Sequence, residues 1–344
     1  MGGIFVTGGA GFIGSNFIRY WLSRYPDDTV VNYDLLTYAG IPENLADVAG
    51  ACAGRYEFVQ GDIGDYRLTR DLLERHKPDC IVNFAAESHN SRAVVNPDVF
   101  FETNVLGTQR LLRAAHDAGV PRFHHISTCE VYGDLPLDSE ASFSETDPYQ
   151  PRTPYNASKA AADLAVRAFH LTFGLPVTIS NCANNYGPYQ FPEKVIPLFV
   201  THLLDGKKMT LYESSRNKRE WLHVEDHCRA IDLILKRGTI GETYNVGSGV
   251  EVDVETIADS ILDVLGLDGS HKVYVPDRPG HDRRYLLDSN KLRTQLGWRP
   301  EISFERGFKE TVLWYTDNRA WWEPLLKRLD VDEEGWKQGS SPRS

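Results

Sequence analysis

"VTGGAGFIG", Val6 to Gly14, is the stretch on which the fold turns. It closes the apolar run "GIFVTG" and opens "FIGSNFIRYWLSRY", whose apolar residues recur at helical spacing. Between strand and helix lies Gly9-x-Gly11-x-x-Gly14, overlapped by Gly8-x-x-Gly11-x-x-Gly14. Glycines there permit a tight turn, let the backbone approach a pyrophosphate and let the helix pack closely on the strand. The helix N-terminus, with Phe12 and Ile13 in its first turn, then aims free N–H groups at the phosphates. A lone pattern of this kind is weak. Here a strand precedes it, a helix follows it, and Asp34 ends the next strand, "DTVVNYD". A carboxylate at that place suits a ribose 2′-OH, which makes NAD the expected cofactor rather than NADP. "GDI", with Asp62 and Ile63, reads alone as a loop; beside this turn it suits closure over the adenine.

Outward from this turn the chain alternates. "YEFVQGD", "CIVNFAA", "RFHHIST" and "PVTISN" read as strands. "YRLTRDLLERH", "PDVFFETNVLGTQRLLRAAHDAG" and "NASKAAADLAVRAFHLTFG" read as the helices among them, the second as one long helix. Such alternation means parallel strands joined by crossover helices, an α/β fold with a doubly wound parallel sheet. The second half is less regular. Helices "FPEKVIPLFVTHLLDG", "EDHCRAIDLILKRG" and "ERGFKETVLWYTDN" stand among short strands such as "ETYNVG" and "HKVYVP", which suits a smaller C-terminal α/β substrate lobe. The expected division is a dinucleotide-binding domain over residues 1–181, with 221–247 returning to it. A substrate lobe takes 182–220 and 248–335, and 336–344 form a polar tail. A chain of 344 residues is too long for one small core.

Composition narrows the partners. The net charge of −11 argues against a nucleic-acid groove or an anionic membrane surface. The five cysteines are scattered, odd in number and without a C-x-x-C pair, as expected of free thiols in a reducing compartment. The histidines form no H-x-x-x-H pattern with acidic partners, so no metal site is expected. No run is long enough to span a bilayer, and no charged segment leads into a short apolar one at the start. Position 6 is Val6, so the myristoylation pattern fails. The expected location is the cytoplasm.

"PYNASKA" carries the chemistry. Tyr155 and Lys159 are i and i+4, on one face of a helix. A tyrosine at its usual pKa near 10 is no base at neutral pH. A neighbouring ammonium, together with the positive charge of an oxidised nicotinamide, lowers that value. Alone, such a pair more often decorates a helix surface. Following a dinucleotide turn and a strand that ends in Ser127-Thr128, it reads as a hydride-transfer site.

At this point the chain resembles the extended short-chain dehydrogenases/reductases with their Rossmann sheet. Within them it is similar to the nucleotide-sugar 4,6-dehydratases of the dTDP-glucose 4,6-dehydratase type. The resemblance runs from about Gly3 to Trp322 and rests on "TGGAGFIGSNF", "YDLLTYAG", "NFAAESH", "ETNVLGT", "ISTCEVYGD", "PYNASKA", "NCANNYGPYQFPEKVIPL", "REWLHVEDH", "GETYNVGSG", "DRPGHDRRY" and "LGWRP". It implies a bound, recycled NAD, oxidation at C4 of the sugar, loss of water across C5 and C6, and return of hydride to C6. It implies Tyr155 as the oxidising base, Lys159 as its tuner and ribose ligand, Thr128 as a hydrogen-bonding group near O4, and Glu130 as the C5 base. For the cofactor it implies contacts from Thr37, Ala85, Ala86, Ser88, Thr103 and Asn185 besides the turn. For the nucleotide-diphosphate sugar it implies Ser88, Asn184, Lys194, Tyr212, Arg219, His281 and Asp282. It also implies a homodimer through the helices at 97–118 and 155–173.

The chain departs from the pattern at four places. The aspartic acid expected beside Glu130, which protonates the leaving 6-hydroxyl, is Cys129. "SHVDR" is "SHNSR", with Ser91 in place of an acid; Val254 stands where an asparagine is expected; "YGxGxQxRDW" is "YESSRNKREW". Cys129 has three readings: a thiol acid, a filler with water or Glu130 supplying the proton, or a mark of altered chemistry. Altered chemistry means a 5,6-unsaturated sugar with hydride returned to C4, epimerisation at C4 or C5, or decarboxylation of a uronate. A dinucleotide-binding sensor is the non-enzymatic alternative. It needs none of the proton chemistry of Tyr155, Lys159, Thr128 and Glu130.

Overall fold

The computed structural model describes residues 2–277 and 282–329. His281 and the polar tail singled out above lie outside the described residues. The strands are β1 (Gly3–Thr7), β2 (Thr29–Asp34), β3 (Tyr56–Gln60), β4 (Cys80–Asn83), β5 (Phe123–Thr128), β6 (Val177–Cys182), β7 (Asn184–Tyr186), β8 (Met209–Tyr212), β9 (Lys218–His223), β10 (Thr243–Val246), β11 (Glu251–Asp253) and β12 (Lys272–Val275). Seven of them form one parallel sheet in the order β10-β6-β5-β4-β1-β2-β3. The order reverses direction between β1 and β4, which opens a crevice at the carboxyl ends of those strands.

Alternation along each strand explains the two covered faces. Phe5 joins Tyr33, Ile81 and Phe123 against Leu111, Leu112 and Val166, carried by helices Thr108–Asp117 and Pro154–Phe173. Its neighbours Ile4 and Val6 point the other way, with Val30 and Val82, onto Phe17, Trp21 and Ile231 from helices Phe12–Arg24 and Val224–Arg237. A strand buried on both faces is predominantly apolar, which is why β1, β2 and β4 read as near-continuous runs, while β5 and β6 also bury polar residues such as His124, His125, Ser180 and Asn181. Smaller sheets, β11-β9-β7 and β12-β8, pack a separate core around Phe199, Trp221, Ile261, Val312 and Trp322.

The helix expected over "PDVFFETNVLGTQRLLRAAHDAG" is interrupted. Asp98–Phe100 is α-helical, Phe101–Gly107 is π-helical and Thr108–Asp117 is α-helical again. The extra residue turns Asn104 inward, where its amide nitrogen donates to Ser158 Oγ at 2.8 Å and to the Glu87 carbonyl at 3.0 Å, and its oxygen accepts from the Glu87 N–H at 2.9 Å. A π-bulge of this kind is a common way to re-aim one side chain at a functional site.

The glycine turn depends on a close approach. Gly8 has φ +67°, and a Cβ there would lie 2.5 Å from the Ala85 backbone nitrogen. A Cβ on Gly14 would lie 2.4 Å from the Gly8 carbonyl oxygen. Neither obstacle is the end of a flexible side chain. Gly8→Ala is therefore expected to destabilise the fold by more than about 1 kcal/mol and to weaken NAD binding with it. Chemical denaturation together with NAD titration checks this; unchanged stability and affinity would contradict the packing described.

Candidate functional site

At the carboxyl edge of the sheet lies a cleft of about 310 Å³. It brings together most of the residues singled out by sequence. Gly8, Gly11, Phe12, Ile13 and Gly14 line one wall with Asp34, Thr37, Asp62 and Ile63. Ala85, Ala86, Ser88 and Thr103 line its middle. Thr128, Glu130, Tyr155, Lys159, Asn184, Asn185 and Lys194 complete it. Four residues stand apart from that lining. Cys129 packs behind it with Val131, Ala160, Leu222 and Tyr285. Tyr212 is on β8. The guanidinium of Arg219 donates to the carbonyls of Asp282 and Lys218, both at 2.8 Å, and lies 4.6 Å from the centre of the Tyr285 ring. Asp282 is buried beside Arg152, with 3.4 Å between Oδ1 and Nη1.

The dinucleotide end fits NAD on structural grounds. The turn lies close against the Ala85 backbone and its own helix because its glycines lack side chains, the packing that a pyrophosphate-binding turn requires. Asp34 accepts from the N–H of Ala10 at 2.9 Å and of Leu36 at 2.8 Å, one bond on each oxygen. Each oxygen keeps a further lone pair for a ribose diol. Asn184 Oδ1 is buried without a hydrogen-bond partner among the described residues, so the cleft wall offers an unused acceptor.

At the other end, helix Pro154–Phe173 presents Tyr155 and Lys159. Thr153 caps it, its hydroxyl accepting from the Asn156 N–H at 3.2 Å, and Pro154 occupies the first helical turn. Lys159 is buried and donates to the Ile126 carbonyl at 2.7 Å. Burial lowers its pKa, opposed by the Asp163 carboxylate. Asp163 in turn accepts from Ser127 Oγ at 2.8 Å and Tyr149 OH at 3.0 Å, with His125 Nε2 at 3.5 Å. The Tyr155 phenol is held well above its usual pKa, first by burial and then by the Glu130 charge, while a hydrogen bond with Thr128 pulls it down. This differs from the expectation that Lys159 dominates the ring. The physical reason is depth: water is excluded from the phenol, and a carboxylate is its neighbour.

Burial also pushes the Cys129 thiol well above its ordinary pKa, reinforced by Glu130. Glu130 itself accepts a 2.9 Å hydrogen bond on Oε2 from Asn90 Nδ2. Asp282 is raised to about 6, by burial first and then by the Glu130 charge. Sequence reasoning missed Asn90, Asn104, His125 and Asp163. Asp163 carried a signal, since it continues the i, i+4 spacing of Tyr155 and Lys159 on the same helix face. Asn90 carried one only through the resemblance, where "SHNSR" puts it in place of the valine of "SHVDR"; its partners are 40 and 63 residues away in the chain.

Comparison with known proteins agrees with this geometry. The family profile described as GDP-mannose 4,6 dehydratase matches residues 5–311. A dTDP-glucose 4,6-dehydratase of Streptomyces niveus is 49% identical over 94% of this chain and 95% of its own length. One of Mycobacterium tuberculosis is 48% identical over 94% of this chain and 96% of its own. The crystal structure of DesIV, a dTDP-glucose 4,6-dehydratase of Streptomyces venezuelae with NAD bound, superposes with a TM-score of 0.90 at 51% identity, covering 94% of this chain and 99% of that one. A UDP-glucose 4-epimerase of Thermotoga maritima shares the fold at 29% identity and a TM-score of 0.84, over 92% of this chain and 99% of its own.

The buried acid below Lys159 predicts a pH dependence. Burial raises the Asp163 carboxyl from 3.8 to about 6, against the opposing charge of Lys159 and two hydroxyl donors. The folded chain therefore holds that proton more tightly than the unfolded one. The resulting stabilisation is complete below about pH 4 and is lost as pH rises through about 6. Asp163→Asn removes the titration. The stability of the variant relative to the parent is expected to rise by about 3 kcal/mol between pH 4 and 7. Denaturation at several pH values measures it; a flat difference would count against the assignment.

Proposed function

The chain belongs to the GDP-mannose 4,6 dehydratase family of extended short-chain dehydrogenases/reductases, and from that membership we propose how its own residues divide the work. It is an NAD-dependent nucleotide-sugar 4,6-dehydratase, a lyase that oxidises C4, removes water across C5 and C6, and yields an NDP-4-keto-6-deoxy sugar. One observation carries the division of roles. Tyr155, Lys159, Thr128 and Glu130 converge in one cleft whose far end is the glycine turn. The substrate we propose is dTDP-glucose, the sugar in the names of the relatives above.

The glycine turn, Asp34 and Lys159 would hold NAD, which when bound would supply a positive charge beside Tyr155 and the hydride-transfer capacity the reaction needs. Tyr155 takes the O4 proton, and Thr128 bonds the same oxygen. Burial lowers the Lys159 pKa, and the Asp163 charge opposes that shift while the Ile126 carbonyl accepts from the ammonium. Once C4 is a ketone, the C5 proton is acidic and Glu130 removes it. The 6-hydroxyl then needs a proton. The Cys129 thiol is a poor source, being buried in an apolar cluster with its pKa far above the ordinary value. We assign the delivery to Glu130, which passes on the proton it took from C5, so that Cys129 is a filler. The protons balance: the C5 proton leaves through Glu130 in the water, and the proton that returns to C5 replaces, by way of solvent, the one Tyr155 took from O4. Lys194 at the cleft and Arg219 beside it are the cations placed for the diphosphate.

Incubation with dTDP-glucose, UDP-glucose, UDP-N-acetylglucosamine and UDP-glucuronate, followed by mass spectrometry, tests the reaction. Loss of water with a 4-ketone from dTDP-glucose is expected. Loss of water without a ketone, loss of carbon dioxide from the uronate, or unchanged mass with altered stereochemistry would each replace the reading. Cys129→Ala should keep dehydration within about tenfold of the parent. A loss of roughly 10²–10⁴-fold would make the thiol the acid instead.

We also propose a homodimer. Phe101, Leu106, Leu164 and Leu171 are 42%, 50%, 57% and 83% exposed on the two neighbouring helical segments. Such a run of apolar side chains suits an isologous interface. Light scattering should give twice the chain mass, and Leu164→Glu with Leu171→Glu should halve it; a monomeric parent refutes the dimer. No helix among the described residues is long and apolar enough to cross a membrane. The free cysteines support a reducing compartment, and we place the protein in the cytoplasm.

A further inference from the structure

The hydrogen bonds around Glu130 have a fixed direction when its carboxylate is ionised, because a carboxylate only accepts. Asn90 Nδ2 donates to Glu130 Oε2 at 2.9 Å. That fixes which end of the Asn90 amide is nitrogen. Its Oδ1 then accepts from the Thr153 hydroxyl at 2.7 Å. The same hydroxyl accepts from the Asn156 N–H, in the first turn of helix Pro154–Phe173, at 3.2 Å.

We propose that Asn90 is a positioning residue for the C5 base. It commits Oε2 of Glu130 permanently as an acceptor and leaves Oε1 as the oxygen on which a proton is taken up and given back. The inference rests on the reaction proposed above and goes beyond it in naming the atom and the residue that fixes it. Two features make the constraint matter. Cys129, the chain neighbour of Glu130, offers no second carboxyl, so one oxygen serves both the C5 proton and the 6-hydroxyl. The cap that ends the chain of bonds starts the helix carrying Tyr155, so the oxidising base and the eliminating base share one anchor. The proton count is unaltered, because Asn90 gains and loses none.

The test uses the full chain with dTDP-glucose deuterated at C4 or at C5. Asn90→Val removes the donor, and kcat is expected to fall roughly tenfold to a hundredfold, as for one lost charge-assisted hydrogen bond, with little change in KM. The isotope effect on kcat from C5 deuterium should grow and that from C4 deuterium should shrink, because removal of the C5 proton becomes the slow step. Asn90→Asp, which still accepts from Thr153 but donates nothing and adds a like charge, should fall further. An unchanged kcat, or a fall with both isotope effects unaltered, overturns the proposal. A crystal structure of Asn90→Val decides the same point without turnover: a displaced Glu130 carboxylate supports it, and an unmoved one refutes it. Failure of the parent protein to release water from dTDP-glucose would instead be a failure of the reaction assigned above.

Discussion

A buried cation holds this site together. Lys159 is 4% exposed, and its ammonium reaches through the end of the sheet to the Ile126 carbonyl. Burying a charge is costly unless it is paired and hydrogen-bonded. Here the ammonium also meets His125 Nε2 at 3.3 Å, and the Asp163 carboxylate, one turn along the same helix, favours its charge from beyond that ring, with Ser127 and Tyr149 both donating to Asp163 Oδ2. The arrangement pins helix Pro154–Phe173 to β5 at one register. A shift by a single residue would strand an ammonium or a carboxylate in the core. Tyr155, one turn before Lys159, is thereby set in the cleft without needing a partner of its own to hold it there.

The same helix distributes the chemistry through its N-terminus. Its cap residue Thr153 satisfies a backbone N–H and donates to Asn90, which donates in turn to Glu130. The π-helical turn at Phe101–Gly107 adds a second brace, since Asn104 ties Ser158 of the helix to the Glu87 segment that leads from β4 along the cleft. Three segments far apart in sequence are thus locked to one helical element. Active-site precision of this kind comes from rigid elements and from the groups that support the reacting side chains.

What the sequence made legible was what depends on neighbours along the chain. The glycine turn, the apolar runs of the buried strands and the Tyr155/Lys159 spacing are local patterns, and the fold they imply is the one observed. The parallel sheet could be read because strands covered on both faces must be predominantly apolar. Asn90 and the π-helical turn could not be read this way. A polar residue opening a short helix looks like any surface position until the fold brings Thr153 and Glu130 to it. An interrupted helix keeps nearly the same apolar spacing as an intact one. Asp34 was legible as a carboxylate at the end of the second strand, while its two bonds to Ala10 and Leu36, which brace the turn itself, required the folded loop.

Cys129 shows how far one substitution can be read from its surroundings. A thiol beside a catalytic carboxylate invites the view that it is an acid, since a thiol is protonated at neutral pH. The fold argues otherwise. Acid strength in a transition state depends on a pKa near the working pH and on a polar path to the leaving group. Cys129 fits poorly, because it packs among Val131, Ala160 and Tyr285, where burial and the Glu130 charge both oppose ionisation and only the Thr128 hydroxyl pulls the other way. In the reading proposed above the consequence falls on Glu130, whose geometry then serves two proton transfers in succession. A carboxylate free to rotate would serve both poorly. A carboxylate with one oxygen tied to an amide, itself tied through a hydroxyl to a helix end, has the same oxygen in place for each.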